Sequence, residues 1–276
     1  MWFVRVAALA TMGLVGYPAL AQTPQRLASL VPAATEVLYA IGAGDRVVGV
    51  GDYDDYPEAA TRLPRLGGLV DPNLEGILAV RPDFVIVDPA QGALAVQLQA
   101  AGIETYEFGT GTIAAVVEHV RLLGMRLDVG PRSAMVAANI ESGLAAVAAA
   151  VEGRPRPRVL VVFGRRPSSF AELWVSGGVG FLHDVVEIAG GANAFAEIER
   201  QSFKSGLEVL LARVPDVVVE AVTGADHGAK ITAEWRALPG FAGVEVIAID
   251  PAWTLRPSPR VVAMAQFLAA ELEQAR

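Results

Sequence analysis

One segment of the chain occurs twice, and this repeat constrains the fold more than any other feature. LEGILAVRPDFVIV spans residues 74–87 and LEVLLARVPDVVVE spans residues 207–220, at a constant offset of 133 residues. Each copy predicts a short helix that ends at Pro-Asp and is followed by a β-branched strand of the buried, parallel kind. The repeat therefore predicts two similar lobes in one chain. Seven of the fourteen positions are identical: Leu74/Leu207, Glu75/Glu208, Leu78/Leu211, Ala79/Ala212, Pro82/Pro215, Asp83/Asp216 and Val85/Val218.

Strand and helix signals alternate on both sides of the repeat. The alternation is typical of Rossmann-like, doubly wound α/β sheets, so we predict one such sheet in each lobe. The terminal helix is predicted from about residue 260 to 273, and another helix from about 112 to 127. The main predicted strands are 26–31, 46–50, 84–88, 103–108, 159–163 and 244–250.

The middle of the chain carries no strand signal. Residues 131–152 are rich in alanine, with Pro131 in the first helical turn and Gly153 after the end. A helix of this length spans ~33 Å, at 1.5 Å per residue, which is enough to connect two lobes. The alternative is a surface helix of the first lobe. The chain is thus divided into an N-terminal lobe (22–130), a connecting helix (131–153) and a C-terminal lobe (154–276), and a single helical connection predicts little movement between lobes.

The first 21 residues are predicted to be a secretory signal peptide. Arg5 precedes an apolar run at 6–16, and Ala19-Leu20-Ala21 is a cleavage motif, which predicts cleavage after Ala21. The run is short for a membrane span, so an uncleaved anchor is the less favoured alternative. Removal of one arginine changes the net charge from −8 to −9. Without any cysteine for disulfide formation or lipid attachment, the mature protein is expected to be soluble in the periplasm.

Motifs for catalysis and for nucleic-acid binding are missing from the sequence. There is no G-x-S-x-G elbow, no Walker loop, no cysteine and no basic block. His119 and His183 are predicted on helix surfaces, and three histidines far apart do not indicate a metal cage. The acids of the loop 52–55 are expected to be solvated. We therefore predict no catalytic residue, no metal site, no cofactor and no nucleic-acid partner.

Aromatic and charged side chains follow several predicted strands. Ligands of open α/β sheets bind outside the carboxyl ends of the strands, and aromatic rings with a few arginines describe a site for a large, flat or anionic molecule. For each aromatic residue, packing in the core is the alternative. The predicted ligand-binding residues are Tyr53, Asp88, Arg165, Phe170, Trp174, Trp253 and Arg256.

Five segments together resemble one family. They are SLVPAATEVLYAIGAGDRVVGV (29–50), DYP (55–57), NLEGILAVRPDFVIV (73–87), SGGVGFLHDVVEIAGGANAF (176–195) and LEVLLARVPDVVVE (207–220). The chain resembles class III periplasmic substrate-binding proteins of ABC importers for cobalamin, ferric siderophores and haem. The resemblance implies two Rossmann-like lobes joined by one helix. It also implies a monomer without enzymatic activity, which captures ligand between the lobes and delivers it to a permease dimer in the inner membrane.

Within this family, residues 29–36 and 49–57 look most like the cobalamin-binding branch, which implies that Tyr53 contacts the corrin. The branch commonly has aromatic residues where this chain has Leu69, Asp88 and Ser202. These departures keep ferric siderophore and haem as alternative ligands. For haem, Tyr53, Tyr56 and His227 are the candidate axial ligands.

The repeated acids Glu75 and Glu208 have two interpretations. The resemblance implies that each lobe presents one glutamate to an arginine of the two-fold permease, as Arg–carboxylate pairs orient partners. Helix capping is the alternative. Ser205-x-x-Glu208 matches a capping box, and Asp71-Pro72 could cap the first copy without Glu75. We favour docking, because the acid recurs while the cap residues do not.

Overall fold

The structure is a computed structural model that describes residues 22–222, 227–251 and 255–275. The predicted signal peptide (1–21) and the predicted ligand contact Trp253 lie outside these residues, as does the side chain of His227.

The first lobe is built on a parallel sheet of four strands in the order β2-β1-β3-β4. Each strand is only three or four residues long, and the helices between the strands cover both faces. The strands are β1 (Leu27–Ser29), β2 (Val47–Val50), β3 (Phe84–Val87) and β4 (Glu104–Glu107), and the helices are α1 (Pro32–Ala40), α2 (Glu58–Thr61), α3 (Leu74–Ala79), α4 (Gly92–Ala100) and α5 (Ile113–Arg126).

A long helix, α6 (Gly130–Val151), follows the first lobe with proline in its first turn. Among the described residues it is the one helix long and apolar enough to cross a membrane, but it packs against α5 and forms part of the folded core. Its buried residues recur every three or four positions, as expected for one face of a helix. They are Ser133, Ala137, Ile140, Leu144 and Val147.

The second lobe contains a mixed sheet in the order β10-β9-β5-β6-β8, with a short β7 beside the start of β5. Four strands, β5, β7, β9 and β10, form parallel pairs. Strand β6 pairs with β5 and with β8 in antiparallel fashion, and neither β6 nor β8 was predicted from the sequence. The strands are β5 (Arg158–Arg165), β6 (Leu173–Ser176), β7 (Ala192–Asn193), β8 (Ser202–Ser205), β9 (Val217–Ala221) and β10 (Glu245–Ile249), and the helices are α7 (Phe181–Ile188), α8 (Leu207–Leu211), α9 (His227–Arg236) and α10 (Val261–Gln274).

One apolar core extends across both lobes. Strand residues alternate between the two faces of each sheet, so Val159 and Val161 join the shared core, whereas Leu160 and Val162 join a separate cluster around Trp235. The shared core also takes in side chains of α1, α5, α6, α7 and α10. The two lobes are therefore packed on common helices in addition to being joined by α6.

The structure contradicts both alternative helix caps and one expectation about a loop. Ser205 does not cap α8, because it ends strand β8 and the N-cap is Gly206, which makes no side-chain capping bond. The first copy is capped by Asn73, whose side chain accepts from the Gly76 backbone N–H at 2.9 Å, and not by Asp71-Pro72. Asp54, expected in a solvated loop, is 1% exposed.

The two helix histidines are also less exposed than predicted. His119 stacks on Phe108 with ring centroids 4.3 Å apart, and its Nδ1 lies 2.7 Å from the Tyr106 hydroxyl. The Nδ1 atom of His183 is buried and has no hydrogen-bond partner. Both rings are half-buried because their helices are covered by neighbouring elements, which a single helix pattern cannot reveal.

Candidate functional site

The carboxyl ends of the strands of both lobes open on one cleft. Three cavities in it share lining residues: an apolar cavity of about 320 Å³ on the first lobe, a central cavity of about 210 Å³ and a charged cavity of about 390 Å³ on the second lobe. Thr110 and Leu255 line both the apolar and the central cavity, and Phe163 lines both the central and the charged cavity. The cleft is therefore continuous from lobe to lobe, at the place expected for open α/β sheets.

The wall on the first lobe is mainly apolar. Tyr53 follows β2, lines the apolar cavity and is 70% exposed, and Leu69 beside it is also exposed. Asp88 lines the same cavity directly after β3, where its carboxylate accepts from the Ala90 backbone N–H at 2.8 Å. Gln91 completes this capping box and donates to the backbone oxygen of Leu69 at 3.2 Å, so the loop that carries Leu69 is held in place.

Asp54 is buried beneath this wall. Neither of its carboxylate oxygens makes a well-formed hydrogen bond to a described residue. Burial raises the pKa of Asp54 to about 6, although Thr35, Arg256 and Arg65 nearby each oppose part of the shift. The carboxyl group of Asp54 therefore takes up a proton much closer to neutral pH than an exposed aspartate does.

Arg256 ties the Tyr53 loop to the second lobe. Its Nη2 donates to the Tyr53 backbone oxygen and to Asp55 Oδ2, both at 3.0 Å, and its Nη1 lies 3.5 Å from Glu36 Oε1. Burial alone would lower the pKa of Arg256, but the carboxylates of Asp55 and Glu36 raise it above its ordinary value. The predicted ligand anchor therefore lines the apolar cavity, yet it already has partners within the protein.

The neighbouring Glu36 is the centre of a buried ionic cluster between the lobes. Its carboxylate accepts from the Ser258 hydroxyl at 2.6 Å and from Arg260 Nε at 2.7 Å. The guanidinium of Arg260 also lies over the ring of Tyr56, 4.2 Å from its centroid. Arg256 connects this cluster to the apolar cavity that it lines.

Arg165 lies in a second ionic network, at the charged cavity. Its Nε donates to Glu220 Oε1 and its Nη2 to Glu234 Oε2, each at 2.7 Å, and its side chain is almost fully buried. Burial opposes the positive charge, but the two hydrogen-bonded carboxylates outweigh it and raise the pKa of Arg165. Trp235 completes the network by donating from Nε1 to Glu220 Oε2 at 2.5 Å.

Two further predicted contacts lie beside this network. Phe170 packs edge-on against Trp235, with ring centroids 4.8 Å apart, and under the guanidinium of Arg165. Trp174 is exposed on β6, where the Lys204 ammonium lies 5.4 Å from its ring centroid. Phe170 is therefore partly committed to the core of the second lobe, which was the alternative interpretation of each aromatic residue.

Sequence reasoning missed several cleft residues: Thr110, Phe163, Val179, Gln201 and Leu255. Thr110 lies in the Gly-Thr-Gly loop after β4, so the rule on strand ends could have found it. Within the described residues, no group of three or more His, Cys, Asp or Glu side chains could hold a metal ion. The described cleft therefore combines an apolar wall on the first lobe with paired charges on the second.

Comparison with known proteins agrees with this architecture. The vitamin B12-binding protein of Yersinia pestis (strain Pestoides F) is 30% identical over 97% of this chain and 92% of its own. The vitamin B12-binding protein BtuF of Vibrio cholerae has a TM-score of 0.76 at 25% identity, covering 92% of this chain and 98% of its own. The heme-binding protein RhuT of Roseiflexus sp. RS-1 has a TM-score of 0.78 at 27% identity, covering 91% and 98%.

The family described as "Periplasmic binding protein" matches residues 27–234, which is most of the chain and includes both copies of the repeat. Its members are substrate-binding transport proteins of the periplasm. The two Rossmann-like lobes, the single long helix and the cleft between the lobes are the architecture of its class III. The chain therefore belongs to the periplasmic binding protein family.

Proposed function

We propose that this protein captures cobalamin or a related corrinoid in the periplasm and delivers it to an ABC importer, without catalysing a reaction. The observation that carries the proposal is the continuous cleft, which has an apolar wall on one lobe and lies between two sheets. A flat macrocycle gains affinity mainly by burying apolar surface against rigid rings and aliphatic side chains. Relatives across nearly the whole chain length are vitamin B12-binding proteins.

The ligand is proposed to lie against Tyr53 and Leu69, with Asp88 and Arg256 at the edge of the same cavity. Arg165 lines the opposite, charged cavity. Phe170, Trp174 and Trp253 stay predictions as ligand contacts. In this arrangement Tyr53 provides the main stacking surface, because it is the most exposed aromatic ring of the described lining.

Haem is the second candidate ligand. It is favoured by the heme-binding relative of similar structure and by the exposed phenol of Tyr53, a candidate axial ligand. Ferric siderophores remain the third candidate from the sequence. Titration of tryptophan fluorescence with cyanocobalamin, haemin and a ferric siderophore separates these ligands. Saturable binding of a siderophore alone would contradict the corrinoid proposal, and native mass spectrometry of protein from its own periplasm would identify the natural ligand.

Docking to the permease dimer is proposed to use Glu75 and Glu208. Both glutamates are exposed, lie in the first turns of α3 and α8, and have no ion-pair partner within the described residues. Leu78 and Leu211, three residues further on, are 41% and 37% exposed. Each lobe therefore presents the same acid with the same apolar neighbour, and a two-fold partner offers two equivalent surfaces to such a pair.

The remaining proposals concern processing and organisation. The signal peptide is proposed to be removed after Ala21, and the mature protein to be a monomer with an N-terminal lobe of residues 22–130, a connecting helix of residues 131–153 and a C-terminal lobe of residues 154–276. Intact mass measurement of the periplasmic protein tests the cleavage position, and its sedimentation tests the monomer.

A further inference from the structure

We propose that the cleft discriminates against ligands that carry carboxylate groups, because the two arginines that line it are already bound to carboxylates of the protein. This inference deepens the proposed function and rests on it: it names the charge class of macrocycle that the site accepts. From the sequence, the arginines of the cleft indicated a site for an anionic molecule, but their contacts in the structure lead to the opposite expectation.

Arg256 is the cation of the apolar cavity. Its Nη1 contacts Glu36 and Asp55, and its Nη2 contacts Asp55 and the Tyr53 backbone oxygen. Asp55 is about half-exposed, whereas Arg256 is mostly buried. A carboxylate of a ligand would have to displace Asp55 before it could form a bidentate pair with this guanidinium.

The charged cavity has two cations, and both face Glu234. Arg165 is held between Glu220 and Glu234, and the Lys230 ammonium lies 3.9 Å from Glu234 Oε1. The remaining nitrogen of Arg165, Nη1, has no hydrogen-bond partner, but it is buried away from solvent. A ligand carboxylate in this cavity would therefore approach two glutamates without reaching an open N–H group of the arginine. Its one cationic neighbour among the described lining would be the exposed Lys230 ammonium, which Glu234 already partly neutralises.

Counting the charges of the lining gives the same result. Among the described residues that line the apolar, central and charged cavities, three are cations (Arg165, Lys230 and Arg256) and five are acids (Asp52, Asp54, Asp88, Glu220 and Glu234). With all of these groups ionised, the described lining is net negative by two charges. This surplus repels an anionic ligand, and the repulsion is strongest at low ionic strength.

The two candidate macrocycles differ in this property. Haem carries two propionate carboxylates at neutral pH. The side chains around a corrin ring end mostly in neutral carboxamides, and cyanocobalamin is neutral overall. A corrinoid can donate amide N–H groups to the acids of the cleft, whereas each haem propionate meets acids and occupied guanidinium groups. The described lining therefore fits an amide-bearing macrocycle better than a dicarboxylate.

The experiment compares haemin with haemin dimethyl ester, which has the same iron and ring but no free carboxylate. We expect the wild-type protein to bind the diester on the order of tenfold more tightly than haemin, because the diester brings no carboxylate close to the acids of the cleft. Asp55→Asn and Glu234→Gln, which release Arg256 and Arg165 from one partner each, should bind haemin more tightly and reduce this preference. Glu141→Gln on α6 is the control, because it removes the same charge from an exposed pair with Arg121 of α5.

Cyanocobalamin and dicyanocobinamide are titrated against the same four proteins. If wild-type protein binds haemin as tightly as the diester, or if Glu141→Gln changes the preference as much as Asp55→Asn, the discrimination is wrong even where corrinoids bind well. If neither corrinoid binds, the proposed function is wrong. In that case the ratio of the affinities for the diester and for haemin still tests the discrimination. Absence of porphyrin binding in wild type and in both cleft variants overturns the discrimination as well.

Discussion

Glu36 and Arg260 form an ion pair between the two lobes, although they are 224 residues apart in sequence. Glu36 lies on α1 of the first lobe and is 3% exposed, and Arg260 immediately precedes α10 of the second. Ser258 and Arg256 extend this pair to the loop of Tyr53. These charged groups therefore link α1, the segment before α10 and the loop of Tyr53, which lines the apolar cavity.

Glu36→Gln is expected to destabilise the protein by about 3 kcal/mol. The substitution removes the carboxylate that pairs with Arg256 and Arg260, and it leaves these mostly buried guanidinium groups without that opposite charge. Urea unfolding measures this change. Glu58→Gln is the matched control: Glu58 pairs with Arg62 in an exposed helix, where an ion pair contributes at most about 1 kcal/mol. Equal effects of the two substitutions would contradict the structural importance of the Glu36 cluster.

Ligand binding is expected to change the shape of the molecule very little. Besides α6 and the shared core, the Ile113 backbone N–H of the first lobe donates to Asp184 Oδ2 of the second at 2.8 Å, and the Phe181 N–H donates to the Gly111 oxygen at 3.0 Å. Preorganised proteins of this kind move by less than about 1 Å in Cα positions on binding. Small-angle scattering with and without cyanocobalamin tests this, and a clear contraction would contradict it.

The sequence predicted the regular part of the fold well, because the signals were local. Hydrophobic runs and Gly/Pro punctuation predicted helix α6 within one residue of its observed start and end. The antiparallel strands β6 and β8 were missed, since four-residue segments such as SFKS carry almost no periodic signal and are defined by the strands beside them. The fold class was confirmed by the relatives and by the structure.

The candidate site was predicted only in part, for a different reason. The rule on strand ends placed Tyr53, Asp88, Arg165 and Arg256 at cavities of the cleft. Residue type alone could not show that the arginines are paired, because their partners Asp55, Glu220 and Glu234 are 201, 55 and 69 residues away in sequence. Contacts over such separations depend on the packing of whole elements.

Stability is expected to depend on pH through Asp54. Its pKa is raised from 3.8 to about 6 by burial, so the folded state binds this proton more tightly than the unfolded chain does. Stability from this group is therefore greatest below about pH 4 and falls as pH rises through 6, by at most about 3 kcal/mol. The difference in unfolding free energy between Asp54→Asn and wild type, followed from pH 4 to 8, isolates this slope. The exposed Asp52→Asn should retain it, and a slope that survives Asp54→Asn would assign it elsewhere.

The last prediction concerns the repeated glutamates of α3 and α8. Since Asn73 caps the first helix and Gly206 precedes the second without a side-chain cap, neither Glu75 nor Glu208 is required for capping. Glu75→Gln and Glu208→Gln should therefore leave the melting temperature and corrinoid affinity unchanged. If docking is correct, each substitution weakens association with the permease, and the double variant loses more than either single one, because a two-fold permease engages both lobes.

Leu78 and Leu211 extend this test to the apolar part of the same surfaces. Alanine at both positions should also weaken association, since exposed leucines at an interface gain from burial, whereas Val96→Ala on the exposed side of α4 is the control. Association is measured with the permease reconstituted in nanodiscs, and uptake with intact cells. Normal uptake by the Glu75/Glu208 double variant would show that the acid recurs for a reason other than docking. If Glu208→Gln alone lowers the melting temperature, Glu208 stabilises its own helix, α8.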